Sequence, residues 1–257
     1  MEIVGRGFLA GHLAGISDHH PDVVALAAGV SAAGDIPPEQ YTRESARLYE
    51  VLRYCEKHNR RLVFFSTASA GMYSVPGASP GREDGPVYPA TPYGRHKLAL
   101  EAVVKSSDVE YLILRLSHVV GRHQPAHQLL PALVRQLVAG RLRVYRGAQR
   151  DLIDVEDVVK IVHTLLVDGR TRDVVNVASG HAPHIEDIVA HMENLLGTRA
   201  EKTYVAASGA QPVSIDKLCR LVPPVYGLGF GPDYYRGVLD KYVPAYAAGA
   251  GQRLLSR

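Results

Sequence analysis

Three residues whose side chains can together transfer a proton occur close together in this 257-residue chain. Ser69 follows an apolar run, and Tyr93 and Lys97 stand four positions apart in the stretch TPYGRHK. A tyrosine is a poor acid–base group at neutral pH because its ordinary pKa is about 10. A lysine ammonium beside it stabilises the phenolate, and a serine hydroxyl can hydrogen-bond the reacting oxygen. These residues form a candidate catalytic site.

Each of these residues also has a simpler interpretation. Lys97 and Glu101 are four positions apart, so they could pair on a solvated helix face, an interaction worth about 0.3 kcal/mol. A lone serine after a strand is typical of an ordinary turn. Taken one at a time, these residues favour the simpler interpretation, and only their combination favours a catalytic site.

A second candidate site is a glycine turn near the N-terminus, in VGRGFLAGHL. Gly5, Gly7 and Ala10 fit the pattern G-x-G-x-x-G/A between a strand and a helix. Glycines there allow a tight turn and a close approach of the backbone to a pyrophosphate, which the helix N–H groups bind. Glycines also make ordinary turns between strands and helices, so this motif depends on its context.

The elements that must position these residues are apolar strands that alternate with amphipathic helices. Residues 22–29, 60–67 and 110–117 indicate buried strands, and residues 39–58 and 91–105 indicate helices. This alternation predicts a parallel sheet with helices on both faces. Open sheets of this type bind ligands at the carboxyl ends of their strands, where the candidate serine would lie.

The composition excludes several classes of partner. The net charge is only +3, and 29 Lys and Arg residues are scattered among 26 acidic ones, so we expect no nucleic-acid partner. The 2 cysteines predict neither a disulfide framework nor a metal site. No apolar run is long enough to span a membrane, and the start of the chain is unlike a signal peptide. We therefore expect a cytoplasmic protein that acts on a small molecule.

In their order along the chain, these stretches resemble the extended short-chain dehydrogenase/reductase family, in its nucleotide-sugar epimerase/dehydratase branch. The resemblance covers most of the chain and is carried by GFLAGHL, DVVALAA, STASAGMY, TPYGRHKLALE, LRLSHVVGRHQ and RDLIDVEDVV. It implies an α/β fold with a Rossmann-like, doubly wound parallel sheet. Residues 1–121 would form the cofactor-binding and catalytic core. Residues 122–257 would form mainly a smaller substrate lobe, with segments that return to the sheet.

The resemblance also implies an enzyme that uses NAD or NADP. Tyr93 would be the general acid–base, Lys97 would hold the nicotinamide ribose and lower the Tyr93 pKa, and Ser69 would hydrogen-bond the reacting oxygen. Arg150 would bind a substrate diphosphate. His118 stands where the family usually has an asparagine that contacts the substrate, and three interpretations stay open for it: a substrate contact, an extra acid–base group, or a loop histidine without a role. A homodimer is expected by analogy. The expected cofactor-binding residues are Gly5, Gly7, Phe8, Leu9, Ala10, Leu26, Ala27, Ala28, Tyr93 and Lys97.

The largest departure from the family is a missing stretch after the first helix. That helix ends near Ile16 and the next strand begins at residue 22, which leaves no room for the second and third strands and their ribose-reading residue. We therefore expect a sheet reduced on one flank and a weakened NAD or NADP site. Two alternatives stay open: a redox-neutral dehydratase, lyase or cyclase that uses Tyr93, and a non-catalytic binding or regulatory protein.

Overall fold

The computed structural model describes residues 1–30, 36–68, 72–73, 80–206 and 212–255. Its strands are β1 Glu2–Val4, β2 Val23–Leu26, β3 Arg61–Thr67, β4 Tyr111–Leu116, β5 His118–Val120, β6 Arg141–Arg146, β7 Leu152–Asp154, β8 Asp173–Val177 and β9 Glu201–Ala206. Its α-helices are α1 Phe8–Leu13, α2 Pro38–Lys57, α3 Pro92–Lys105, α4 Leu129–Val138, α5 Val155–Val167, α6 Ile185–Leu196, α7 Asp216–Leu221 and α8 Tyr234–Leu255. Two 3₁₀ helices span Ala14–His19 and Pro223–Leu228.

The main sheet has five parallel strands in the order β1-β2-β3-β4-β8. Its central strands are continuous apolar runs, as expected where helices cover both faces of a parallel sheet. All four residues of β2 are buried. In the part of the chain that the structure describes, β1 pairs only with β2 and is an edge strand. The predicted reduction of the sheet on this flank is therefore confirmed.

Helices pack on both faces of the main sheet, as the sequence predicts. On one face α2 and α3 bury a core that includes Leu48, Leu52 and Val104. On the other face α1, α5 and α7 form a second core with the sheet, centred on residues such as Ile161 and Leu218. This arrangement is doubly wound, so the predicted fold class is confirmed.

A separate core lies among α4, α6 and α8 and one face of β6, and residues such as Leu137, Met192 and Leu239 belong to it. Two small parallel pairs, β5-β7 and β6-β9, lie outside the main sheet. Strand β8 returns from the second half of the chain to the main sheet beside β4. The division between residues 121 and 122 into core and lobe stays a prediction.

Several elements of the second half of the chain were not predicted from the sequence. Strands β5, β7 and β9 are short or largely exposed, and their apolar alternation is weak. Helix α8 contains Pro244 and glycines that weaken a helical pattern. Within the described residues, no helix combines the length and the apolar character that crossing a membrane requires.

Candidate active site at the carboxyl edge of the sheet

The start of α3 is fixed by its first residues. The Thr91 side chain accepts a hydrogen bond from the Gly94 N–H at 3.0 Å, and Pro92 occupies the first turn, where its missing N–H costs nothing. Lys97 and Glu101 then fall on one face of the helix, and both side chains are buried. The alternative of a Lys97–Glu101 pair on a solvated face is therefore wrong.

The Lys97 ammonium lies at the carboxyl end of the sheet between α2, α3 and β3. It donates hydrogen bonds to Glu44 Oε1 at 2.6 Å and to the Phe65 carbonyl at 3.1 Å. Its Nζ lies 5.9 Å from the centre of the Tyr93 ring. Tyr93 and Lys97 are therefore neighbours in space, as the sequence predicts.

Tyr93 is half-buried, and its hydroxyl forms a hydrogen bond with the Thr67 side chain at the end of β3. Burial raises the pKa of Tyr93; the Lys97 charge opposes this rise, and the Glu44 charge adds to it. The net direction is upward. The Lys97 charge therefore acts on the Tyr93 pKa in the expected direction, but burial and the Glu44 charge outweigh it.

Ser69, the third predicted catalytic residue, lies outside the described residues, and its role stays a prediction. The nearby Tyr73 is buried and firmly held. Its hydroxyl donates to Asn176 Oδ1 at 2.7 Å and accepts from Arg115 Nη1 at 2.7 Å. Arg115 in turn forms a buried ion pair with Glu101 of α3. This network ties the chain that follows β3 to the helix that carries Tyr93.

The glycine turn after β1 lies against the loop after β2. Gly5 has a φ of +142°, and a Cβ atom there would lie 2.7 Å from the Ala27 carbonyl carbon and 2.9 Å from the Ala28 nitrogen. Gly7 precedes α1 and faces open space within 4 Å of where its Cβ would be. At position 5 only a glycine permits the close approach to Ala27 and Ala28, so the turn and the loop form one surface.

The loop after β2 also reaches the Lys97 pocket. A Cβ atom on Gly29 would lie 2.4 Å from Glu44 Oε1 and 3.1 Å from Lys97 Nζ. Contacts therefore run from Gly5 through residues 27–29 to Lys97 and then to Tyr93. The structure brings the predicted cofactor turn and the predicted catalytic pair to one edge of the sheet.

The other predicted cofactor residues contribute mainly backbone or shape. The side chains of Leu9, Ala10 and Leu26 pack into the protein interior, so only their backbone could line a ligand. Phe8 packs near Gly121, where a Cβ atom would lie 3.0 Å from the Phe8 ring. Phe8 therefore packs the start of α1 against the chain that follows β5.

His118 and Arg150 form a second polar cluster where β5 pairs with the chain before β7. The backbone N–H of His118 donates to the Asp151 carbonyl at 3.0 Å, and the charge of the adjacent Arg150 acts on the His118 ring. Burial, and then the Arg150 charge, lowers the pKa of His118 to about 4. Among the described residues, the buried Nδ1 atom of His118 has no hydrogen-bond partner. A neutral imidazole with a free ring nitrogen suits a hydroxyl or phosphate group of a ligand.

Arg150 has only weak protein partners. Its Nη1 donates to the Gln149 carbonyl at 2.7 Å, and burial lowers the pKa of its guanidinium. In the described part of the chain, no carboxylate forms an ion pair with it. A partly desolvated guanidinium without a counter-charge favours binding of an anion.

We expect His118→Asn to remove part of the stability loss that the unmodified protein shows at acidic pH. The folded state keeps His118 neutral down to about pH 4, whereas the unfolded chain binds a proton below about pH 6.5. Stability is therefore lost as the pH falls through this window, by about 2 kcal/mol between pH 7 and pH 4.5. Urea unfolding of the unmodified protein and of His118→Asn at the two pH values measures this loss of stability. Asp151 and the other titratable groups contribute equally in the two proteins, so their contributions cancel. Parallel pH dependences would contradict a neutral, buried His118.

Three residues of the site were not predicted from the sequence: Glu44, Thr67 and His96. A signal for Glu44 was present, since Glu44, Leu48 and Leu52 recur every four residues on the apolar face of α2. A carboxylate on a buried stripe needs a buried partner. The sequence does not reveal that partner, because it lies on another helix.

Comparisons with known proteins identify the family of the chain. The model of the family described as "NAD dependent epimerase/dehydratase family" matches residues 13–178. The dTDP-6-deoxy-L-talose 4-dehydrogenase (NAD(P)(+)) of Kitasatospora kifunensis is 33% identical over 160 residues, which are 57% of this chain and 50% of that protein. The UDP-glucose 4-epimerase of Lactobacillus helveticus is 23% identical over 206 residues, 70% of this chain and 62% of the relative. The matched chain thus spans about half to three-fifths of these curated relatives.

The fold has well-matched counterparts among solved structures. RMD from Pseudomonas aeruginosa, complexed with NADPH, superposes with a TM-score of 0.77 at 20% identity, over 96% of this chain and 98% of that one. At this identity the likeness concerns the fold alone. It agrees with the doubly wound sheet and with the helices that surround it here.

Proposed function

The chain belongs to the NAD dependent epimerase/dehydratase family, and on that basis we propose that it is an NAD(P)-dependent enzyme that epimerises, dehydrates, oxidises or reduces a nucleotide sugar. The observation that carries the proposal is the buried Lys97 ammonium beside the Tyr93 ring at the carboxyl edge of the sheet. A buried charge is costly to keep in a fold. Its retention next to a tyrosine is typical of a site that moves protons.

Tyr93 is the acid–base group of the proposed reaction. Its hydroxyl gives a proton to a substrate ketone, and in the reverse direction its phenolate takes a proton from a substrate hydroxyl. Because its pKa is raised in the ligand-free protein, Tyr93 begins as an acid. Thr67 orients the Tyr93 hydroxyl through their hydrogen bond, and Ser69, two residues further on, hydrogen-bonds the reacting oxygen.

The described residues fit the pyrophosphate and nicotinamide parts of NAD(P) better than the adenosine part. Gly5 lies in close contact with the loop after β2, where no side chain fits, and Gly7 leaves open space beside the start of α1. Lys97 has one N–H left for a ribose hydroxyl after donating to Glu44 and Phe65. When bound, the nicotinamide supplies the hydride acceptor or donor. No described strand lies outside β1 to hold the adenosine. Binding is therefore weaker than a complete sheet would give.

The His118–Arg150 cluster is the proposed substrate-diphosphate site. Arg150 offers a guanidinium group without a counter-ion, and His118 offers a neutral ring nitrogen. The two curated relatives are named for dTDP and UDP sugars, which carry a diphosphate. Both features favour a nucleoside diphosphate sugar as the substrate class.

We expect Arg150→Ala to raise the Kd for UDP by about 10-fold to 100-fold, because a charge-assisted hydrogen bond to phosphate contributes about 1.5–3 kcal/mol. Isothermal titration calorimetry with UDP measures the change. The matched control is Arg172→Ala. The Arg172 guanidinium is exposed and already paired with Glu110 at 2.7 Å, so its loss should leave UDP binding unchanged. Equal effects of the two substitutions, or none from Arg150→Ala, would exclude the diphosphate role.

The direct test of the function is incubation of the protein with UDP-glucose or with dTDP sugars and catalytic NAD. Nuclear magnetic resonance detects an epimer or a keto product, and reduced-nicotinamide absorbance detects net oxidation. Product formation that requires NAD supports the proposal. Absence of any product across both nucleotide classes, with cofactor binding intact, would move the substrate class elsewhere.

One observation favours a second function, redox-neutral chemistry by the same Tyr93. The edge position of β1 removes the usual adenosine support, and Glu44 compensates the Lys97 charge without a cofactor. A dehydratase or lyase could then use Tyr93 alone as the acid. Substrate turnover that proceeds equally with and without NAD would select this function over the first.

A further inference from the structure

We propose that Glu44 is a positioning residue of this site: its buried carboxylate fixes the Lys97 ammonium against β3 and keeps Tyr93 in its protonated, acidic form. The inference rests on the proposed function, because it gives Glu44 a role only through Tyr93 and Lys97. Glu44 lies on α2, the helix next to α3.

The contact between Glu44 and Lys97 is short and dry. Glu44 Oε1 lies 2.6 Å from Lys97 Nζ, and the two side chains are 3% and 5% exposed. The ammonium also donates to the Phe65 carbonyl at 3.1 Å. Two acceptors from different elements therefore define where the charge lies, and water does not screen it.

The second oxygen of Glu44 is also occupied. Glu44 Oε2 accepts from the Val30 N–H at 3.2 Å and lies 3.1 Å from His96 Nε2. The carboxylate meets the loop at Gly29, where a Cβ atom would come within 2.4 Å of Oε1. Glu44 therefore cannot swing away without breaking three contacts, and it holds Lys97 through a rigid group.

The charges around Tyr93 explain the consequence of this arrangement. Glu44 and Tyr41 face it from α2, and Lys97 and His96 belong to its own helix, with Glu101 acting on Lys97 from one turn further. Glu44 cancels much of the stabilisation that Lys97 would give to a phenolate. In the ligand-free protein the pocket therefore holds an ion pair and a neutral phenol.

Glu44→Gln tests this role directly, because it keeps the size of the side chain and removes its charge. Without the Glu44 charge, the Lys97 ammonium stabilises the Tyr93 phenolate unopposed. The coupled Tyr93–Lys97 pair should therefore lose its first proton at a lower pH, and that proton should come from Tyr93. Protein labelled with carbon-13 at tyrosine Cζ reports each phenol, and the Tyr93 resonance is assigned by its loss in Tyr93→Phe. We expect the Tyr93 titration midpoint to move down in Glu44→Gln.

His96→Gln is the matched control. It removes the His96 contact of Glu44 but leaves the Glu44 charge and the Lys97 contact, so the Tyr93 midpoint should move much less than in Glu44→Gln. Glu44→Asp provides a second variant if Glu44→Gln does not fold. It keeps the charge but withdraws it from Lys97, and it should give a smaller downward shift.

A Tyr93 midpoint that stays in place or rises in a folded Glu44→Gln protein would overturn the inference. This titration needs neither substrate nor cofactor. Absence of NADH binding and of turnover in the unmodified protein would instead count against the proposed function, whatever Tyr93 does. The two failures are therefore distinguishable.

Discussion

Replacing Tyr93 by phenylalanine should lower the turnover number by about two to four orders of magnitude, the usual contribution of a positioned acid–base group. The change removes one oxygen atom and leaves the ring near Lys97. NADH and UDP should therefore bind as they do in the unmodified protein. Product formation from a nucleotide sugar measures turnover, and calorimetry measures binding.

The matched control is Tyr41→Phe. Tyr41 packs against the His96 ring with 4.6 Å between the ring centres, so it belongs to the same pocket. Loss of its hydroxyl should change turnover only a few-fold. If Tyr93→Phe retained a substantial part of the turnover, Tyr93 would not be the acid, and the roles of Lys97 and Glu44 would need another explanation.

Replacing Glu101 by glutamine should lower the free energy of unfolding by about 3–5 kcal/mol, because it leaves a buried guanidinium without a counter-charge. Arg115 Nε and Nη2 lie 2.9 Å and 2.7 Å from the two Glu101 oxygens, and Ser66 Oγ donates to the same carboxylate at 2.6 Å. The side chains of the pair are 2% and 0% exposed. Urea unfolding measures the loss.

An exposed ion pair provides the comparison. Glu110→Gln breaks the pair with Arg172; the Glu110 and Arg172 side chains are 45% and 51% exposed. This change should lower the free energy of unfolding by less than about 1 kcal/mol. The double change Glu101→Met with Arg115→Met removes both charges and should recover much of the stability that Glu101→Gln loses. A loss from Glu101→Gln no larger than that from Glu110→Gln would show that the buried network contributes little.

The sequence predicts the parts of the fold that depend on local pattern. The alternating strands and helices of the first 120 residues, the cap at Thr91 and the absence of room after Ile16 all follow from short-range periodicity and turn chemistry. The structure confirms the reduced, doubly wound sheet, and the comparisons confirm the family. The glycine turn and the Tyr93–Lys97 pair also lie at the same edge of the sheet, because parallel strands bring their carboxyl ends to one edge.

The sequence does not predict the partners that reach a residue from other elements. Lys97 pairs with Glu44 of α2, 53 positions away, rather than with Glu101 one turn along its own helix. Glu101 is used by Arg115 of β4. Local spacing favours the near partner, whereas burial of both charged groups selects the distant one. Burial and the Glu44 charge, which raise the Tyr93 pKa against the effect of Lys97, are hidden from the sequence for the same reason.

The measurement that tests the central claim most directly is a titration of the protein with NADH and NADPH, followed by nicotinamide fluorescence and by calorimetry. We predict micromolar binding of at least one cofactor and its loss in Lys97→Met. Reduced nicotinamide mononucleotide should bind almost as well as the dinucleotide, since no described strand supports the adenosine. No binding up to millimolar concentrations would contradict the claim that this site holds a nicotinamide cofactor, and would leave Tyr93 to redox-neutral chemistry.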